Sequence, residues 1–144
     1  MRTISLYQPW ASAMALGLKK IETRGTRIHG RGLTAIHAAK KWTDDEREFC
    51  EDFARQFAKP ALLDPPRWCI IAVGRIVDCV PTEELVGRGL RLPLTYQESM
   101  LGNYEPGRYG WIFEDIVPLE TPIPYRGQQG QWDTPDHLFP RGIV

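Results

Sequence analysis

The sequence has few of the residues that mark disulfide-stapled or metal-bound proteins. Its 144 residues include three cysteines and three histidines. Neither type recurs at the short spacings of zinc or redox motifs. An odd number of cysteines without a C-x-x-C pair favours reduced thiols in the core over a disulfide framework. We therefore expect no disulfide, no metal and no cofactor, and a chain of this length can bury enough surface to fold without them.

Long apolar runs and familiar catalytic motifs are also missing. The longest apolar run, Cys69 to Val73, is far too short to cross a bilayer, and the N-terminus lacks the apolar stretch of a signal peptide. The sequence contains no G-x-S-x-G, P-loop or Rossmann glycine signature, which excludes the familiar hydrolase and nucleotide-hydrolysing classes. We predict a single domain over residues 1–144, located in the cytoplasm and with no membrane partner.

Net charge is absent as well, since 18 Lys and Arg residues balance 18 Asp and Glu residues. The balance is not kept along the chain. Residues 1–41 hold eight basic residues and one acidic residue, Glu22, so this part carries +7 and the remainder −7. A basic region of this kind is the expected footprint of a polyanion site. From composition alone, a merely solvated basic surface is an equally good interpretation.

Apolar patterning predicts several strands. In Lys20 to Arg24, Ile21 and Thr23 face one side of the strand while charged side chains face the other. Trp68 to Val80 is rich in β-branched residues and is predicted to be a buried central strand. The proline-rich tail from Pro118 fits an edge strand or an extended wrapping segment. The other predicted strands are Thr3 to Tyr7, Leu33 to Ala39 and Tyr109 to Val117.

Helical signals are fewer. Pro9 and Gly17 bound a helix of roughly two turns. A longer helix begins at the capping box of Thr43, and its predicted core anchors are Phe49, Phe53 and Phe57. One helical turn is predicted at Thr82 to Val86, and a short helix at Gln97 to Leu101 within a loop-rich stretch from Gly87 to Gly107. These elements predict an α+β domain whose sheet, of about five to six strands, curls into a small β-barrel; a flatter open sheet is the alternative.

The charged strand and the loop after it carry the candidate site. Lys19 suits a phosphate-binding cation or, if desolvated beside Lys20 and Arg24, a lysine of lowered pKa with nucleophilic or base chemistry. Glu22 suits an exposed ion pair, a hydrogen-bond acceptor for a base amine, or a general acid/base. Arg27 lies in a glycine-flanked loop and suits a phosphate contact. Base stacking is open to Tyr7, Trp10, Tyr109 and Trp111, although each of these aromatics taken singly is more often a core residue.

Two linked segments resemble the ASCH (activating signal cointegrator homology) domain family of the PUA-like superfamily. Ile4 to Ser12 is followed by Gly17 to Arg24, which matches the family's G-x-K-x-x-E-x-R motif at every defined position. Further resemblance lies in Arg31 to Lys41, Cys69 to Cys79, Gly107 to Trp111 and Gly127 to Trp132. The resemblance implies a PUA-like β-barrel with two or three flanking helices and a cleft lined by the lysine, glutamate and arginine of the motif.

The resemblance also implies nucleic-acid binding, chiefly to RNA, so RNA or a nucleotide-like ligand is the expected partner. In this leading hypothesis, phosphate is contacted by Lys19, Arg24 and Arg27, with Lys20 and Arg108 in the same binding set. A base or ribose edge is read by Gln8 and Glu22, and a base stacks on Trp10 or Tyr109.

Two other hypotheses stay open. Some ASCH-like proteins are ribonucleases, or amidohydrolases that deacetylate N4-acetylcytidine. In a metal-free ribonuclease, Lys19 or Glu22 would activate a ribose 2′-hydroxyl and Arg24 would stabilise the phosphorane; in the amidohydrolase pattern a threonine stands where this chain has Glu22. A protein-interaction domain ranks last, because the tail ending at Trp132 is more simply a strap that buries its tryptophan.

Overall fold

The computed structural model describes residues 1–85 and 94–143, and six strands and three helices lie within these ranges. The strands are β1 (Arg2–Leu6), β2 (Ile21–Arg24), β3 (Gly32–Ala38), β4 (Cys69–Pro81), β5 (Tyr109–Pro124) and β6 (Gln131–Asp133). The helices are α1 (Trp10–Ala15), α2 (Asp44–Gln56) and α3 (Tyr96–Met100), with single 3-10 turns at Pro60–Leu62, Thr82–Glu84 and Asp136–Leu138. Val86 and the first part of the loop predicted from Gly87 lie outside the described residues.

All six strands join one sheet in the order β2-β5-β4-β3-β1-β6. β1 and β3 are parallel, and every other neighbouring pair is antiparallel. β4 lies between β3 and β5, in the central position predicted from its β-branched sequence. The sheet curls into a half-barrel flanked by the helices, which confirms the predicted α+β small-barrel fold.

The fifth strand is longer than the sequence predicted. β5 does not end at Val117 but continues to Pro124, and three of its last seven residues are prolines. These prolines are tolerated because β2 pairs with β5 only from Tyr109 to Ile112, so the later half of β5 pairs with β4 alone and forms a sheet edge. The chain then returns to pair β6 with β1, and Trp132 is buried there.

Burial follows most of the predicted patterns. In β2, Ile21 and Thr23 are buried while Glu22 and Arg24 are half-buried, as the alternation predicts. Helix α2 starts at the predicted capping box, in which the Glu46 carboxylate accepts the Thr43 backbone N–H at 3.2 Å. The three cysteines are buried and unpaired, which confirms reduced core thiols, and burial raises the pKa of the Cys50 thiol to about 11.

One predicted core anchor is not in the core. Phe53 is buried, but Phe49 is 45% exposed, because it lies at the margin of the helix face that packs inward. Its ring still contacts Trp10, with 5.2 Å between ring centroids. Among the described helices, none has the length and the apolar character needed to cross a membrane.

Candidate functional site

A cleft of about 1330 Å³ opens beside the curled sheet. Its lining comes from the ends of β1 and β3, from β2, from the segment that follows α3, and from the loop 126–130 between β5 and β6. Strand β2 carries the charged face that sequence alternation predicted, and that face lines the cleft. The site is therefore assembled from segments spread over most of the chain.

The cleft concentrates positive charge, although the net charge of the whole chain is zero. Among the described residues that line it, five carry a positive charge and only Glu22 carries a carboxylate. The five cations are Arg24, Lys40, Lys41, Arg108 and Arg126. The described residues contain no cluster of three or more His, Cys, Asp or Glu able to hold a metal ion. The chemistry that this lining favours is the binding of an anion.

Arg24 is held in place on the cleft wall by several contacts. Its Nε donates to Glu22 Oε2 at 3.0 Å, and its Nη2 donates to the Ser5 carbonyl at 2.6 Å. The guanidinium also lies over the Trp111 ring, 5.4 Å from its centroid. A guanidinium fixed in this way is pre-organised for an oxyanion, because little side-chain entropy remains to be lost on binding.

Lys19 lies behind this wall and not on it. The side chain is fully buried, and its ammonium donates to the carbonyls of Ile21 and Leu101, the latter at 2.8 Å. The ammonium lies 3.8 Å from Glu22 Oε1, so Glu22 stands between two cations, Lys19 and Arg24. Burial lowers the pKa of Lys19, although the nearby carboxylates oppose this shift.

Hydrogen bonds attach α3 and the segment after it to β2. Arg108 donates from Nε to the Asn103 carbonyl at 3.0 Å and from Nη2 to the Thr23 carbonyl at 3.1 Å. The Asn103 N–H donates to Thr23 Oγ1 at 3.0 Å. The Glu98 carboxylate accepts the backbone N–H of Ile21 at 3.0 Å. These bonds hold Arg108 on the same wall as Arg24.

Comparison with known proteins identifies the fold. No protein-family model and no curated protein matches the chain. Among solved structures, ASCH from Zymomonas mobilis superposes with a TM-score of 0.55 at 15% identity, covering 95% of this chain and 89% of that one. Two mutants of the same protein, one tyrosine-to-phenylalanine and one serine-to-alanine, give TM-scores of 0.55 and 0.53 at 15% and 17% identity. They too cover 95% of this chain, and 91% and 89% of their own.

The chain has the fold of an ASCH domain. The similarity at these identities shows the fold alone. It confirms the fold expected from the motif at Gly17 to Arg24, and this segment of the ASCH fold supplies Glu22 and Arg24 to the cleft.

The ASCH fold brings only part of the predicted site together. Five of the predicted residues line the cleft: Tyr7, Trp10, Glu22, Arg24 and Arg108. Lys20 is exposed outside the lining, and so is Arg27, whose guanidinium lies 5.0 Å from the ring centroid of Tyr109. Tyr109 is half-buried and is likewise not part of the lining.

Gln8 and Lys19 differ from the expectation that they contact a ligand, because neither has exposed surface. The Gln8 side-chain amide donates to Ser12 Oγ at 2.8 Å and to the Pro66 carbonyl at 2.7 Å, while its oxygen accepts the Ser12 N–H at 3.0 Å. Through these bonds, Gln8 joins α1 to the segment before β4. In the observed geometry, both side chains support the cleft from inside.

Sequence reasoning missed the floor of the cleft, where Ser5 and His37 form a pair. The two residues are register partners on parallel strands β1 and β3, and His37 Nδ1 lies 3.0 Å from Ser5 Oγ. The His37 Nε2 lies 2.7 Å from the Tyr125 carbonyl, which can only accept, so Nε2 carries the proton and Nδ1 accepts from Ser5. Trp132 Nε1 donates to Ser5 Oγ at 3.3 Å. No local sequence signal joins residues 5 and 37, because only strand pairing brings them together.

Sequence reasoning named Tyr7 as a stacking candidate but missed the other residues of one cleft edge, where lysines lie over aromatic rings. The Lys41 ammonium is 4.8 Å from the ring centroid of Tyr7, and the Lys40 ammonium is 4.7 Å from that of Trp68. All four of these residues line the cleft. Three of the four lie in segments that resemble the ASCH family, Tyr7 in Ile4 to Ser12 and the two lysines in Arg31 to Lys41.

Proposed function

We propose that the cleft binds single-stranded nucleic acid, with RNA as the expected ligand. The observation that carries this proposal is the lining of five cations against one carboxylate in a chain of zero net charge. Such a groove attracts a phosphate backbone, and aromatic side chains along it provide stacking surfaces that are sequence-tolerant. The cleft volume of about 1330 Å³ exceeds the roughly 300–1,000 Å³ typical of small-molecule pockets, which leaves room for more than one nucleoside.

The geometry favours a division of roles along the β2 wall. Arg24 and Arg108 contact phosphate, since both guanidinium groups lie in the cleft lining and are oriented by backbone carbonyls. Glu22 accepts a hydrogen bond from a base amine or a ribose hydroxyl. Lys19 does not contact the ligand; its buried ammonium holds the Glu22 carboxylate in position.

Fluorescence anisotropy with a labelled single-stranded RNA of about eight nucleotides tests the proposal. Arg24→Ala and Arg108→Ala should each weaken binding roughly tenfold or more, because each removes charge-assisted hydrogen bonds to phosphate. Arg55→Ala is the matched control, since Arg55 is exposed on α2 and pairs only with the exposed Asp52 among the described residues. Binding that survives both cleft substitutions, or that does not weaken as salt is raised, contradicts the proposal.

A hydrolase acting at the same cleft is the second candidate. The observation that favours it is the Lys19–Glu22 pair, in which a buried lysine of lowered pKa lies 3.8 Å from a carboxylate that lines the cleft. Glu22 is then the catalytic residue and Lys19 a positioning residue. In the ribonuclease form, Glu22 accepts the 2′-hydroxyl proton, the 2′-oxygen attacks the adjacent phosphorus, and the 5′-oxygen leaves and takes a proton from water.

Turnover assays separate the two candidates. The protein is incubated in chelator with a labelled RNA pool and, separately, with N4-acetylcytidine. If the cleft is catalytic, Glu22→Gln abolishes product formation while RNA binding is retained, and Lys19→Met shifts the pH profile of the rate. If the parent protein binds RNA but gives no product at high enzyme concentration, the cleft is a binding site only.

A further inference from the structure

One edge of the cleft, formed by Tyr7, Lys40, Lys41 and Trp68, is called here the aromatic rim. It exists because three strands meet at this place: β1 and β3 end side by side and β4 begins next to them. Two backbone hydrogen bonds continue the pairing past the strand ends, from Ala39 N–H to the Leu6 carbonyl and from Trp68 N–H to the Ala38 carbonyl, both at 2.8 Å. The rim is therefore built on the rigid sheet and not on a free loop.

The two aromatic residues of the rim are exposed to an extent that packing does not explain. Tyr7 is 52% exposed and Trp68 is 46% exposed, although both line a concave surface. Each ring has a lysine ammonium within 5 Å of its centroid. The two cation–aromatic pairs adjoin on one edge of the cleft.

The backbone of Trp68 adds an independent observation. Its φ is +59°, a left-handed conformation that is uncommon for a bulky side chain. The conformation is held from both sides, since Trp68 N–H donates to Ala38 and its carbonyl accepts the Tyr125 N–H at 3.2 Å. Backbone strain of this kind is costly and concentrates at functional sites. Here it holds an indole at the mouth of the cleft.

The rim lies a short way along the chain from the cleft wall that carries Arg24. Arg24 contacts the Ser5 carbonyl in β1, and Tyr7 is two residues further along the chain, directly after the strand ends. Two residues of extended chain span about 7 Å, which equals about two steps of a stacked nucleotide chain at roughly 3.4 Å per step. A phosphate bound at Arg24 and a base stacked on Tyr7 can thus belong to adjacent parts of one short strand.

We infer that the aromatic rim is a base-stacking subsite and that the ligand of the cleft is an oligonucleotide strand, not a free nucleoside or mononucleotide. The inference rests on the proposed function and makes it more specific. Phosphates bind along the Arg24 and Arg108 wall, while consecutive bases stack on Tyr7 and Trp68. Lys40 lies beside the stacked bases, where it is available to the phosphate that joins them.

A length series with variants of the rim tests the inference. Unlabelled oligouridylates of one to about eight nucleotides compete with a labelled RNA, and affinity should rise steeply between the mononucleotide and about four nucleotides. Tyr7→Leu and Trp68→Leu should each weaken binding of the longer strands roughly 5- to 150-fold, the range measured for the loss of one stacked base. Tyr7→Phe and Trp68→Tyr should retain most of the affinity, because each keeps an aromatic face.

Matched controls separate the rim from the rest of the cleft. Tyr96→Leu removes an aromatic residue that is 81% exposed and lies outside the cleft lining, and it should leave affinity unchanged. If Arg24→Ala abolishes binding while both leucine variants of the rim bind like the parent, the rim is not a subsite and only the proposed function stands. Equal affinity for mononucleotide and longer strands also overturns the inference. A parent protein that binds no strand of any length contradicts the proposed function itself.

Discussion

At the scale of single residues, His37 shows how burial and hydrogen bonding fix a polar side chain at the floor of the cleft. The ring is fully buried, donates from Nε2 to Tyr125, accepts from Ser5 at Nδ1 and meets Trp132 edge-on at 5.5 Å between centroids. Space around it is tight, because a methyl group added at Gly127 would lie 2.6 Å from His37 Cε1. Burial and the acceptor role of Nδ1 suit a neutral imidazole better than a charged one, whereas the bond to the Tyr125 carbonyl serves both forms.

This environment gives a prediction about pH and stability. Burial lowers the pKa of His37, and the bond to the Tyr125 carbonyl only partly opposes the shift. The unfolded chain therefore takes up a proton near the ordinary pKa of about 6.5 while the folded state does not, so the free energy of unfolding falls as the pH drops below that value. Urea unfolding at about pH 7.5 and about pH 5 measures the loss.

The control for this prediction is His37→Gln, whose side-chain amide can still donate to Tyr125 but does not titrate in this range. The variant should lose less stability than the parent between the two pH values, and comparing the two losses cancels whatever the rest of the chain contributes to both proteins. An identical pH dependence in parent and variant contradicts the neutral, buried state of His37.

At the scale of elements, strand β2 was predictable and the aromatic rim was not. The alternation of Ile21 and Thr23 with charged residues is a local pattern, and it is sufficient to place Glu22 and Arg24 on one face of the strand. The rim depends on register instead: Tyr7 follows β1, Lys40 follows β3 and Trp68 precedes β4. Segments more than 25 residues apart meet there only through strand pairing, which no local periodicity encodes.

The same reasoning explains the residues whose predicted roles changed. Gln8 and Lys19 look like surface polar groups in the sequence, and only the tertiary structure shows that backbone carbonyls satisfy them in the interior. The left-handed backbone of Trp68 has no sequence signature either, since a tryptophan is among the residues least expected there.

The short strand β6 is predicted to matter more than its three residues suggest. Trp132 is 7% exposed, stacks on Tyr125 with 5.6 Å between centroids, and donates to Ser5. Trp132→Ala should lower the free energy of unfolding by about 3–5 kcal/mol, as expected for a buried tryptophan replaced by alanine. Chemical denaturation measures this loss, and Asp133→Asn, an exposed change on the same strand, should be close to neutral.

A Trp132→Ala protein as stable as the parent would mean that the tail contributes little to the fold. That result would favour the hypothesis that the proline-rich tail serves a protein partner.

At the scale of the whole molecule, the neutral total conceals a separation of charge that the fold turns into a surface. The first 41 residues carry +7, and three of the five cations of the cleft, Arg24, Lys40 and Lys41, come from them. The fold adds Arg108 and Arg126 from the acidic remainder of the chain. The cleft thus gathers cations from both the basic and the acidic parts of the chain, and a lining of this sign favours an anion.

This distribution predicts that RNA binding has a modest salt dependence, which can be assigned to individual cations of the cleft. Each phosphate neutralised on a single strand contributes about 0.7 to the slope of log affinity against log salt, so contacts from three or four cations should give a slope of about −2 to −3. Lys40→Ala should reduce its magnitude by about 0.7, because the structure gives Lys40 no carboxylate partner within the described residues, whereas Lys41 shares its charge with Glu46 at 3.2 Å. Lys59→Ala, an exposed change outside the cleft, should leave the slope unchanged. A slope near zero, or one that Lys59→Ala lowers as much as Lys40→Ala does, would place the phosphate contacts outside the cleft.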